Sequence, residues 1–214
     1  MTKIKKILTL LTFAVIIYAC GDDNVFSNPY EDVNYEALAV SDNDSIVKFL
    51  ESHYYNEGSD SLEPLIDGET SMFEDETKLE MVEVVANDIT YKLYVFVTEI
   101  GVPDFTEDTT DDPTLRKENP SKMDSIFVNR KGIELVNNNL DSSPFDQDDE
   151  TWFSLGATFN LGGQAPSPII GWIEGFQKLK SGENITNNGP LTFQNTGNGY
   201  FFIPSGLAYP SINY

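Results

Sequence analysis

Side chains able to do covalent chemistry are few in this sequence. It holds one histidine, His53, and one cysteine, Cys20, in 214 residues. With no second histidine and no other thiol, the inventory argues against a structural zinc site and against a Ser-His-Asp or Cys-His nucleophile. No GxxxxGK[ST] or GxGxxG run is present, which removes the usual phosphate cradles. Acidic runs from Glu107 to Asp112 and from Asp146 to Glu150 lack the alternating spacing and central glycine of a calcium loop, and read as solvated charge. Paired carboxylates of the glycosidase kind stay open, because such pairs meet only in the fold. What remains is chemistry without a nucleophile. The C-terminal half carries Phe145, Phe153, Ile169, Trp172 and Tyr209 beside Asp146, an apolar and aromatic set with few polar members. A plain core would use the same residue types.

Periodicity indicates which elements must position these residues. Ile46, Phe49, Leu50, His53 and Tyr54 recur at helical spacing after Asn43 or Asp44 as N-cap, with Gly58 as the stop, so His53 is expected packed on an apolar helix face. Lys78 to Ala86 and Ile89 to Val97 are rich in β-formers and are joined by Asn87-Asp88, which predicts a hairpin. A second pair is expected at Ser125 to Arg130 and Gly132 to Val136, and a short strand at Thr151 to Leu155. Gly171 to Lys180 reads as a helix with Trp172, Phe176 and Leu179 on one stripe and Gly182 closing it. A turn-rich hairpin over 183–199 leads into a final strand, Tyr200 to Ile203. The fold class is α+β, a mostly antiparallel sheet with one short helix packed on it.

Net charge is −22 at pH 7, a field that repels phosphate backbones and excludes nucleic acid as a partner. Residues 1–19 have the parts of a signal peptide: Lys3, Lys5 and Lys6, an apolar stretch from Ile7 to Ile17, and a small residue before the junction. The stretch is too short for a permanent membrane span. Ile17-Tyr18-Ala19-Cys20 resembles the bacterial lipobox, which implies a lipid on Cys20 and leaves no thiol for chemistry. Residues 20–42, acidic and without period, are expected to be a flexible tether. Their CGDD start is similar to sorting signals of Gram-negative outer-membrane lipoproteins, so the expected place is the cell envelope, lipid-anchored at the outer membrane.

The order of the aromatic residues carries a further resemblance. SPIIGWIEGFQKLKSGE, Ser167 to Glu183, resembles the helix signature of FKBP-type peptidyl-prolyl isomerases, with Gly171, Trp172, Glu174, Gly175 and Gly182 in register. FFIPSGLAYP, Phe201 to Pro210, is similar to that family's I-P-x-x-L-A-Y-G. SSPFDQ and VNRKGIEL are similar to its F-D-S and Y-x-G segments. The four segments run in the family's order and cover somewhat over half of the chain. The resemblance implies an FKBP-like domain over 89–214, preceded by an N-terminal helix and strand extension over 43–88. It implies a pocket floored by Trp172 and walled by Phe145, Phe153 and Tyr209. Pro168 stands beside the substrate-facing backbone, Ile169 offers an N–H, the Tyr209 hydroxyl bonds a carbonyl, and Asp146 either orients the site or caps a turn. The substrates implied are proline-containing polypeptides, with neither cofactor nor metal. Arg130 stands where the family has Tyr, Pro210 where it has Gly, and Pro168 where a small aliphatic residue is usual.

The family's closing strand, which follows the A-Y-G turn, has no counterpart before Tyr214. We expect either that the chain continues past that point or that another segment, such as Lys78 to Ala86, fills the gap. An unfilled place would strand backbone donors and acceptors, at a cost that a typical stability of about 5–15 kcal/mol absorbs poorly.

Overall fold

The computed structural model describes residues 33–101, 119–122, 124–141, 143–156, 169–184, 192–195 and 197–208. The chain divides into Met1–Asn34 and Tyr35–Tyr214, and every element below belongs to the second unit. Helix α1 spans Tyr35–Ser52. It is followed by β1 (His53–Asn56), β2 (Ser61–Pro64), β3 (Leu79–Ala86), β4 (Ile89–Glu99), β5 (Ser125–Gly132), β6 (Leu135–Val136), β7 (Asn139–Leu140) and β8 (Asp146–Ser154). Helix α2 (Ile170–Phe176), β9 (Ser181–Asn184), β10 (Thr192–Asn195), β11 (Asn198–Phe202) and the single turn α3 (Ser205–Ala208) complete the described order. The fold is α+β with predominantly antiparallel sheets, arranged β11-β4-β3 and β8-β5-β10-β9, plus the hairpins β1-β2 and β6-β7.

Strand β4 explains most of the core. Its residues from Leu93 to Phe96 alternate between two faces, and both faces are covered. Tyr94 and Phe96 meet Ile46, Phe49 and Leu50 of α1 together with Met72 and Phe202. Leu93, Val95 and Tyr91 meet Val84, Ala86 and Leu207. A third cluster joins Ile126, Val128, Leu155, Phe176 and Leu179, with Trp172 packed at its margin. Each fully buried Leu, Val or Phe contributes about 1.5–3 kcal/mol relative to exposure, so these three clusters dominate the favourable side of folding.

The β3–β4 hairpin forms as its sequence predicts, with Ala86 paired to Ile89. Asn87 and Asp88 take φ of 50° and 63°, the left-handed pair that a two-residue type I′ turn requires. Several expectations are corrected. Helix α1 starts at Tyr35, inside the stretch read as tether, and ends at Ser52, before the expected stop at Gly58. His53 and Tyr54 are therefore buried strand residues of β1, not helix residues. The partner of β5 is β8, not the run from Gly132 to Val136, which instead supplies β6. Strand β8 begins at Asp146, five residues earlier than expected, and α2 ends at Phe176, so Gly182 lies in β9 rather than closing a helix.

Candidate functional site

Trp172 is positioned by what the two glycines beside it allow. Gly171 and Gly175 sit four apart on one face of α2. A Cβ at Gly171 would stand 2.4 Å from Ile203 Cγ2, and one at Gly175 would stand 2.6 Å from Phe201 Cδ2. No Cβ tolerates such distances, so only glycine lets the helix lie this close to β11 and the residue after it. Phe176 then meets Phe201 edge to face, centroids 5.1 Å apart. With that face against the sheet, Trp172 emerges at the flank of the helix, half-buried, against the cluster of Ile126 and Val128. Ile169 is the N-cap of the helix, and its extended backbone (φ −66°, ψ 145°) carries no side-chain cap. Its carbonyl accepts from Trp172 N at 3.1 Å and from Ile173 N at 3.2 Å. N–H groups ahead of those bonds have no partner within the helix.

The other half of the site is built by β5 and β8. Alternation along β5 puts Ile126, Val128 and Arg130 on one face, so an apolar row ends in a cation. Across from it, Phe153 pairs with Ile126, Thr151 with Val128, Asp148 with Arg130 and Asp146 with Gly132. The register shifts between Val128 and Arg130, where Glu150 takes φ 49° and its N–H donates to Asn129 Oδ1 at 2.5 Å. This β-bulge moves the even-numbered acids to the face of Arg130; in an unbroken strand Gln147 and Asp149 would stand there.

Arg130 joins the two halves. Its guanidinium lies 5.2 Å from the centroid of Trp172, over the ring. Nε approaches Asp146 Oδ2 at 3.4 Å, and Nη2 makes a close ion pair with Asp148 Oδ2. The Arg130 side chain is only 14% exposed, against 36% for Asp146 and 48% for Asp148. Nearby, Glu174 pairs with Lys122 at the surface.

The structure thus brings together Trp172 and Asp146, two of the residues read from sequence, and adds Arg130 and Asp148. Asp146 opens β8 rather than capping a turn. Phe145 donates its N–H to Gly132 O at 3.0 Å and lays its ring over that glycine, leaving the side chain 58% exposed. Ile169 is the N-cap of α2. The side chain of Phe153 and the whole of Pro168, Tyr209 and Cys20 lie outside the described residues. Asp148 escaped the sequence reading; alternation along β5, which aims Arg130 inward, was a sign that a carboxylate must face it.

A cavity of about 410 Å³ lies elsewhere, lined by Tyr54, Tyr55, Glu57, Glu69, Asp75 and Lys78 among others. Its lining is mainly polar, and the ammonium of Lys78 already pairs with Glu57 at 2.5 Å and sits 5.3 Å over the Tyr55 ring. Burial and a hydrogen bond to Asp60 push the Tyr55 hydroxyl up to about 12. That is a stable, protonated phenol, and it gives the cavity no acid or base for chemistry near neutral pH. Among the described residues, no group of three or more His, Cys, Asp or Glu side chains is placed to hold a metal ion, and no helix is long and apolar enough to cross a membrane. Comparison of the chain with protein-family models, with curated proteins and with solved structures finds no match.

Proposed function

We propose that this protein binds proline-containing segments of exported polypeptides on Trp172 and speeds rotation about the X-Pro bond, as a lipid-anchored member of the FKBP-type isomerases. The observation that carries the reading is Trp172 itself, held half-buried on a short helix that glycines press against a sheet, with Arg130 over its ring and Asp146 paired to that arginine. The FKBP-like signature residues occupy structural roles consistent with it: Gly171 and Gly175 make the helix–sheet contact.

Amide resonance sets a rotation barrier of about 18–20 kcal/mol, and no bond need be cleaved to cross it. An apolar platform favours the twisted amide, whose charge separation is smaller, over the planar one. Trp172 and Phe145 supply apolar surface, the Ile169 N–H and the Tyr209 hydroxyl bond the flanking carbonyls, and Asp146 orients the site. Cys20 carries the lipid that holds the domain at the outer membrane of a Gram-negative envelope. A second reading, a non-catalytic module that docks proline segments inside an envelope assembly, is favoured by one observation: a cation lies over the Trp172 ring.

Refolding of a proline-limited substrate protein tests the first reading. The wild-type chain should accelerate the slow phase, and Trp172→Ala should lose at least about tenfold of kcat/KM, about 1.4 kcal/mol of transition-state binding. A wild-type rate equal to the uncatalysed one would leave only the docking reading. Anchoring is tested by lipid labelling, which Cys20→Ala should abolish.

A further inference from the structure

An arginine side chain 14% exposed, stacked on an aromatic ring and tied to two carboxylates, is held at three points. Each contact is directional. Asp148 stands directly across the strand pair from Arg130 and Asp146 stands diagonally, which are the two cross-strand positions a long side chain reaches. The Trp172 ring attracts the guanidinium through its electron-rich face. A prolyl ring needs such a face too, and Arg130 occupies one face of Trp172 while the core cluster packs beside the ring. A ligand must therefore displace this cation or share the ring with it.

Resting on the reading of Trp172 as the prolyl platform, we propose that Asp148 is the specificity-determining residue of the site, and that it selects segments with a lysine or arginine beside the proline once Arg130 is displaced. An incoming cation exchanges for Arg130 at Asp148, the more exposed of the two carboxylates, and Arg130 swings off the ring. Strand β8 continues with Asp149 and Glu150, both exposed, and the chain carries a net charge of −22, so the field around the site favours a basic segment. A neutral segment must break the Arg130 contacts with nothing to replace them. An acidic one is repelled as well.

The test uses the full chain and three peptides that differ only in the residue before proline, Lys, Gln or Glu. Binding is followed at the Trp172 indole N–H resonance, assigned with Trp172→Phe. Wild type should bind the Lys peptide about tenfold more tightly than the Gln peptide, with the Glu peptide weakest. Asp148→Asn should narrow the Lys-to-Gln ratio to about twofold by weakening the Lys peptide, whereas Arg130→Ala, or Arg130→Gln if the alanine variant folds poorly, should tighten every peptide and keep the ratio. Equal affinities in wild type, or a Lys preference that Asp148→Asn leaves unchanged, would overturn the role of Asp148 while leaving the platform intact. If no peptide perturbs Trp172 in wild type or in either Arg130 variant, the platform reading itself fails.

Discussion

Tyr55 donates its hydroxyl proton to Asp60 Oδ1 at 2.7 Å, and burial and that bond raise its pKa from 10.0 to about 12. Burial likewise pushes Tyr91, Tyr94 and Tyr200 up, and a hydrogen bond to Glu63 raises Tyr54. All five shifts favour the protonated phenol in the folded state. Their stabilisation is present in full below pH 10 and is lost as pH rises through the folded values. We predict that the urea midpoint falls between pH 10 and pH 12 in step with tyrosinate absorbance, and that Tyr55→Phe makes the fall shallower. A midpoint flat across that window would contradict the burial of these hydroxyls. Other residues show where sequence was a good guide. The helical setting of Trp172 was legible from the stripe it shares with Phe176, and the packing of His53 from its apolar neighbours. His53 is indeed buried, stacked on Phe49 with centroids 3.9 Å apart. Asp148 was not legible, because the bulge at Glu150 that turns it toward Arg130 leaves no signal in composition.

Turn chemistry made the β3–β4 hairpin readable. Its Asn87-Asp88 turn places both residues at positive φ, where glycine is better suited at the second position than aspartate. Asp88→Gly should therefore raise stability by about 0.5–1 kcal/mol, seen as a higher urea midpoint with unchanged slope. Gly171→Ala should do the reverse, since its methyl would meet Ile203 at 2.4 Å; overpacking of this kind costs about 1–3 kcal/mol. The start of α1 was missed for a physical reason. Asn43, which read as a cap, is spent on a tertiary contact instead: its Oδ1 accepts from Tyr94 OH at 2.9 Å, while its neighbour Asp42 Oδ2 accepts from Ser205 N at 2.8 Å and from the Ser205 hydroxyl at 2.5 Å. The end was missed in the same way. Ser52 Oγ donates back to Lys48 O at 2.8 Å and accepts from Asn138 at 2.9 Å, and the chain turns into β1 well before Gly58.

Thirteen basic residues cannot neutralise 35 acidic ones, so repulsion outweighs pairing over the molecule as a whole. Exposed pairs such as Lys178–Glu80 at 2.5 Å contribute at most about 1 kcal/mol each and are screened along with the repulsion. Added salt should therefore stabilise the fold: the thermal midpoint should rise as the Debye length shortens from about 30 Å to about 10 Å. A falling midpoint would mean that the ion pairs outweigh the excess charge. The same field bears on ligands, since a strongly acidic chain draws basic segments toward it. Fold class was readable at this scale because alternation and turn residues are local, whereas the order β8-β5-β10-β9 depends on pairings between strands far apart in sequence. The central claim is that the Trp172 ring holds a prolyl ring, and its most direct measurement is a titration of the full chain with a Lys-Pro peptide and its Lys-Ala counterpart, read at the Trp172 indole N–H. The account predicts a saturable shift with the proline peptide and little with the alanine one; identical responses to both, or none, would contradict it.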